Sequence, residues 1–494
     1  MGYYTQAGYA SATNLTNIDG LSFTRDISGD GAIDLSREGS VAVSRRLFRD
    51  NPIYRGVLGR CVSYVVGPGF GLQAITDDTE WNADTEKLWN EYWKSPCVDG
   101  ALSGKKTESL SFLEMLETGD IFQMIVKHEG QLKIQLFEAE QCVMNSGSIR
   151  DRNGRYTSAK NGIARDEFGR PVRYVFAPYG ATGYVDRAKA TPYDAQHVIH
   201  LFDKERPSAS RGMPALQASF AMLHRINDIC DAEAIARQML AHLAMTVTRN
   251  EGPAAAYSES KADTRDTNFR IQYLDVGTIF HARPGETINA IDRNIPGGDF
   301  EKSMIVFLRM LGLPLGMPLE LVMLDWTKSN YSQSRAVMQQ AYQTFSGWQS
   351  LLSCGMSQIY RRKVEEWVKS GALKPNAQAY KHDWIMPTFP WIDEAKELEA
   401  QGKKIELSLS SHGEICKALQ HDRDTIVAAR ETEIRDAITR AKNIKTETGV
   451  DVPYQLFCGL PIQNAAVVSK TGEAEKTENS VDTANENKET PKDE

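Results

Sequence analysis

Phe307-Leu308-Arg309-Met310-Leu311, then Gly312, Pro314, Gly316 and Pro318 at alternate positions, then Asp325-Trp326-Thr327-Lys328 and Ser329-Asn330-Tyr331-Ser332, is the stretch on which the fold turns. The first five residues read as the end of a helix. No regular helix tolerates the alternation after Leu311, because each Pro removes a donor and each Gly loosens the backbone. The Ser329-to-Ser332 run offers helix-starting side chains. Met338, Ala341, Phe345, Trp348, Leu352 and Ile359 then keep a three/four spacing that draws one apolar stripe along a long helix. Gly347 and Gly355 inside it each cost about 1 kcal/mol against Ala, which predicts a bend or a close contact. The reading is helix, projecting polar loop, long helix.

Working outward, 494 residues allow ample core and two or three subdomains. A hydrophobic content of 41% with 25% charged residues is that of an ordinary globular chain. There is no apolar run of the roughly 18 residues a membrane span needs, and Met1-Gly2-Tyr3-Tyr4 opens no signal peptide. Seven scattered cysteines without a C-x-x-C pair suit reduced thiols in a cytoplasm and argue against a zinc or disulfide scaffold. A net charge of −8 with no basic block predicts that any nucleic acid is handled without being gripped.

Residues 1–40 are small and polar, and read as an arm. Two helical pieces come next over 41–60 with a stop near Pro52, the second carrying Ile53, Val57, Cys61 and Tyr64 on one face. Gly67-Pro68-Gly69-Phe70-Gly71 has the wrong spacing for a dinucleotide loop and precedes a strand, Leu72 to Ile75. Gly100 to Thr107 misses the phosphate-loop spacing. Helices are predicted over 81–93 and 111–117, and a hairpin over 120–137 across Glu129-Gly130, with short strands from 142 to 200. His197 and His200 would face opposite sides of a strand, so they do not form a metal pair. A helix of about 45 Å is predicted from Pro214 to near 245, at about 1.5 Å per residue. Short strands are expected over 246–248, 271–274 and 277–281, and a helix from Asp299 to Leu311. Helices over 393–410 and 423–440 come after them, the second bearing Ile426, Val427, Ile434 and Ile438. From Ser469 the chain is acidic and too poor in apolar residues to order itself.

Several of these pieces, in this order, resemble the lambda-type phage portal family. Gly316-Met317-Pro318-Leu319-Glu320-Leu321, Asp325 and Asn330-Tyr331-Ser332-Gln333-Ser334-Arg335 resemble its "GxPxEL … D … NYSSxR" signature, with Gln333 replacing a serine. Gly162-Ile163-Ala164-Arg165-Asp166 with Gly169-Arg170-Pro171-Val172-Arg173-Tyr174 is similar to "GIExDxxGRPVxY". Ile199-His200-Leu201-Phe202, Arg206-Pro207 and Arg211-Gly212-Met213-Pro214 are similar to "IxHxFxxxRPxxxRGxP". Trp391-Ile392-Asp393-Glu394 resembles "DPxKExxA", with Glu394 in place of Pro.

The resemblance implies an α+β ring subunit: an N-terminal arm (1–40), αβ wing (41–213), stem helices (214–245 and 298–311) and a small αβ clip (246–297). A channel loop (312–328), a long helix returning to the wing (329–390), a helical crown (391–455) and an acidic disordered tail (456–494) complete it. It further implies a homo-oligomeric ring, commonly of about twelve copies, at one capsid vertex of the virion, assembled in the host cytoplasm. Double-stranded DNA would pass through it without sequence preference. Terminase large subunit, major capsid and scaffold proteins and a head-tail adaptor would be its partners. Pro314, Gly316, Pro318, Asp325 and Lys328 would face the DNA, while Asn330, Tyr331, Ser332 and Arg335 carry the family motif. No catalytic residue, cofactor, metal or membrane contact is expected. The alternatives are a head-neck adaptor and, less favoured, a phosphohydrolase: no G-x-S-x-G, H-E-x-x-H or correctly spaced phosphate loop is found.

Overall fold

The computed structural model describes residues 27–143, 148–150, 156–242, 245–249, 286–290, 299–326, 331–388, 394–419 and 422–459, and divides into two units, residues 1–422 and 423–494. Helices and small antiparallel sheets mix in an α+β architecture.

The first unit opens with α1 (Gly29–Asp50), capped by the Ser28 side chain, which accepts from Gly31 N. The expected arm over 1–40 is therefore corrected: 29–40 are helical, and 1–26 lie outside the described residues. The buried face of α1 reads Gly29, Ile33, Ser36, Arg37, Ser40 and Ser44, a helical spacing filled largely by small and polar residues, so it left no apolar periodicity. Asn51 then does two jobs. Its backbone N–H donates to Leu47 O, closing α1, and its side chain accepts from Tyr54 N, opening α2 (Pro52–Val65) with Pro52 in the first turn.

Next come β1 (Gly71–Ala74), α3 (Thr79–Trp93) and α4 (Gly104–Thr118). α4 begins seven residues before the expected Ser111, because Ser103 accepts from Lys106 N and makes the near-miss phosphate loop into a first helical turn. β2 (Asp120–His128) and β3 (Gln131–Phe137) form the anticipated hairpin, turning at Glu129 and Gly130 with φ of 50° and 83°. β4 (Ser148–Arg150), β5 (Tyr156–Lys160), β6 (Ile163–Arg165), β7 (Pro171–Phe176) and β8 (Thr191–Asp194) are a five-stranded antiparallel meander. β9 (Val198–Phe202) joins the other edge of β2, giving the order β3-β2-β9.

α5 (Phe220–His242) starts six residues later than expected, after turns at 214–219. β10 (Met245–Arg249) pairs with β11 (Glu286–Ala290), a strand the sequence did not announce; the strands expected over 271–274 and 277–281 lie outside the described residues. Then come α6 (Asp299–Gly312), α7 (Leu319–Met323) and α8 (Tyr331–Ser370), α8 running unbroken for 40 residues or about 60 Å. β12 (His382–Ile385) pairs with β1, and α9 (Glu394–Glu406) and α10 (His412–Ala418) complete the unit. The single helix expected over 393–410 is two, because Ser408 takes φ 57° and Ser411 starts α10 through a capping box with Glu414.

One apolar core ties the first unit together. It joins Tyr54, Leu58 and Cys61 of α2, Trp89 of α3, Phe112 and Leu116 of α4, Ile199 and Leu201 of β9, and Leu223 of α5 to Leu311 of α6. From α8 the stripe Ala341, Phe345, Leu352 and Ile359 enters the same core. Gly355 is a close contact: a Cβ there would lie 2.8 Å from Leu201 Cδ2, whereas Gly347 has open space.

The second unit is α11 (Arg423–Thr448) with the turn α12 (Gln455–Cys458). α11 runs eight residues past its expected end. Ala437 is its buried residue, while Ile426 and Val427 are exposed. The helical turn at 455–458 moves the expected start of the tail past Cys458, and residues from 460 on lie outside the described residues.

Candidate functional site: a breaker-rich segment and its anchors

The segment after α6 folds back instead of projecting. Met317 N donates to Gly312 O at 3.0 Å and Gly316 N to Leu313 O at 3.0 Å, closing two tight turns. Gly316 sits at φ 61°, and a Cβ there would meet Thr344 Oγ1 of α8 at 2.4 Å. At Gly312 a Cβ would meet Met317 O at 2.2 Å. These glycines are required by close approach and, at Gly316, by a left-handed backbone. Pro318 O receives both Leu321 N and Val322 N, starting α7, and the Arg60 guanidinium of α2 donates to Val322 O.

The residues between the breakers are apolar, and the core takes them: Leu315, Met317, Leu321 and Val322 are buried. This corrects the projecting polar loop for 312–323. The alternation of breakers with Leu and Met was a packing pattern, not a solvated one. Pro314 and Asp325 are exposed, while Gly316 and Pro318 are half-buried. Lys328 and Asn330 lie outside the described residues. Tyr331 and Ser332 open α8, and Arg335 is exposed on it. Pro314, Gly316 and Pro318 thus share one folded cap, with Asp325 just beyond Leu324, itself at φ 56°. The cap's outer surface is largely apolar: Val306, Met310, Leu313, Met323, Leu324 and Trp326 are exposed, Leu313 by 72%.

A buried ionic node that sequence reasoning missed anchors the body. Arg211 Nε donates to Asp120 Oδ1 at 3.1 Å, Nη1 to Asn161 O at 2.8 Å and Nη2 to Ala139 O at 2.8 Å. Arg37 Nη2 reaches both Asp120 oxygens at 3.3 Å. His200 stacks between Phe122 and Phe202, each 4.3 Å between ring centroids, with Nε2 3.8 Å from Asp120 Oδ1 and beyond hydrogen-bond reach. Burial alone would raise the Asp120 carboxyl; Arg211 and Arg37 override it and hold the group well below the usual carboxylate range. Burial holds His200 below its ordinary value, so it is neutral. Alongside, Gly119 and Gly212 touch backbone to backbone, where a Cβ on Gly212 would lie 2.0 Å from Gly119 O. The signal available was Asp120 at the head of a strand, directly before the apolar Ile121 and Phe122, where a buried carboxylate demands a cationic partner. A second node gathers Glu114, Glu117 and Glu140 around Arg45; burial pushes Glu114 up to about 7 despite that guanidinium.

The glycine cluster at 67–71 is closed from inside. Glu108 of α4 accepts Phe70 N–H at 3.1 Å and Trp93 Nε1–H at 2.9 Å, placing a carboxyl group where a phosphate would need the amide. Burial pushes Glu108 up to about 7 against those two donors. His197 lies in a turn and is exposed, apart from His200, whose side chain is buried. No group of three or more His, Cys, Asp or Glu side chains is placed to hold a metal among the described residues. No described helix is long and apolar enough to cross a membrane.

Comparison with known proteins gives three findings. The sequence model of "Phage portal protein, lambda family" matches residues 23–349. The "Probable portal protein" of Halomonas phage phiHAP-1 is 21% identical over 306 residues, 59% of this chain and 57% of that protein, so the chain spans little more than half of that relative's length. Among solved structures, "Neck of empty GTA particle computed with C6 symmetry" aligns with a TM-score of 0.46 at 14% identity, covering 77% of this chain and 93% of the other. "Virion of native gene transfer agent (GTA) particle" aligns at 0.43 and 12% identity, covering 77% and 92%.

Proposed function

The chain belongs to the lambda family of phage portal proteins, and from that premise we propose that it forms the ring at one vertex of the capsid through which terminase drives double-stranded DNA in and from which DNA later leaves. In this reading α5 and α6 are the stem, β10 and β11 belong to the clip, the two sheets with α1 to α4 form the wing, and the helices from α9 onward form the crown. The 312–328 segment faces the channel, with Lys328 presented singly from each subunit. Major capsid, scaffold and head-tail adaptor proteins dock outside, and the protein acts as a structural part of the virion without catalysing a reaction.

The observation that carries this reading is the packed cap at 312–323. A wall that lets a duplex slide must not neutralise many phosphates at once, because each such contact deepens the electrostatic well. The cap offers Pro314, Leu313, Met323 and Leu324 at its surface, on a backbone braced by Thr344 and Arg60. Repeated around a ring, it makes a firm, weakly charged collar.

Light scattering on the purified protein tests the reading: the expected mass is that of a closed ring, with a central opening in negative stain. Compact single particles without an opening would end it. Duplex binding by the ring should be weak, and a tight, steeply salt-dependent affinity would count against the collar.

A further inference from the structure

Directly behind the glycine cluster, where α4, β2, β9 and α8 meet, lies a void of about 10 Å³ walled by Thr107, Glu108, Ser111, Gln123, Leu201 and Met356. Gln123 Nε2 donates to Ser111 Oγ at 2.9 Å, which leaves Gln123 Oε1 buried and without a hydrogen-bond partner. An unmet buried acceptor costs about 1–3 kcal/mol. The void meets the lower limit of space for one water, and its walls supply the two to four polar partners a buried water needs. Ser111 Oγ, accepting from Gln123, still has its own proton to give. Each Glu108 oxygen takes one N–H and keeps lone-pair capacity.

We propose that this void holds one water molecule, bridging Gln123 Oε1 to the Glu108 carboxyl and the Ser111 hydroxyl, and that this water is what lets Glu108 release its proton inside the core. The water donates one hydrogen to Gln123 Oε1 and the other to the carboxylate, and accepts from Ser111; the released proton goes to bulk solvent. The charged group acting on Glu108 is Lys105, on the same helix. β2, β9 and α8 turn Gln123, Leu201 and Met356 toward the void, none of them charged. Burial places the titration of Glu108 near neutral pH, at about 7. The site goes beyond the portal reading and does not depend on it.

Two measurements on the full-length, assembled protein test this. A density map at about 2 Å should show a peak within hydrogen-bond reach of Gln123 Oε1, Ser111 Oγ and Glu108. An empty void overturns the proposal, and this measurement needs no variant. The carboxylic C=O infrared band, assigned by its loss in Glu108→Gln, should titrate in the unaltered protein below the value of about 7 that burial, Phe70 N–H, Trp93 Nε1–H and Lys105 set without the water. Gln123→Met keeps the length of the side chain but removes the bridge, and should move that midpoint up by about one pH unit. A midpoint that stays put or falls also overturns the proposal.

Discussion

Asp120 carries more of the fold than its place at a strand end suggests. It is fully buried and serves Arg211 and Arg37 together. Asp120→Asn would strand two guanidinium groups in the core and should cost about 3–5 kcal/mol in urea unfolding. A loss below about 1 kcal/mol would mean that backbone carbonyls alone hold Arg211. The carboxyl groups also set opposed pH dependences. Asp120, depressed on folding, adds stability above its unfolded value of about 3.8 that is lost as pH falls further. Glu108 is raised from 4.5 to about 7, so its contribution is complete below pH 4.5 and is lost as pH rises through 7. Denaturant series at several pH values should show Glu108→Gln removing a decline of about 2–3 kcal/mol between those limits. At this scale the sequence was half legible. Arg211 stood in a family motif, but its partner lies 91 positions away and is joined only by folding.

Elements were legible where apolar residues kept a period. α2, α3, the β2–β3 hairpin and the stripe of α8 were read with small errors at their ends. The starts of α1 and α4 were not, because their buried faces are built from Ser, Thr, Arg and Glu, which carry no hydrophobic signal. The glycines separate by environment in a way composition could not resolve. Gly347→Ala enters open space on α8 and should stabilise by up to about 1 kcal/mol. Gly355→Ala drives a methyl against Leu201 and should destabilise by about 1–3 kcal/mol. Gly316→Ala adds left-handed strain to a clash with Thr344 and should cost about 2–4 kcal/mol. Thermal unfolding of the three variants should rank them in that order.

For the whole molecule, the order of the motifs along the chain said more than any single residue did, and the family match over residues 23–349 agrees with it. What sequence reading mistook was the character of the central segment, since breakers at alternate positions look solvated until the residues between them are seen to be buried. Gly316→Ala also tests the proposed channel role: if the cap lines the channel as proposed, rings of the variant should form with the same mass but leak packaged DNA faster, as measured by nuclease sensitivity of filled particles. Unchanged retention would place the channel wall elsewhere.

α8 touches Gly316 through Thr344 in its first half and β12 through Ser357 in its second, whose hydroxyl meets His382 Nε2 at 2.8 Å and Trp384 Nε1 at 2.9 Å. Those two attachment points are separated by about 20 Å of uninterrupted helix. A helix of that span bends far more readily than it shortens, so it works as a strut. A load placed on the cap would therefore reach the β1–β12 pair through the strut rather than being absorbed where it arrives.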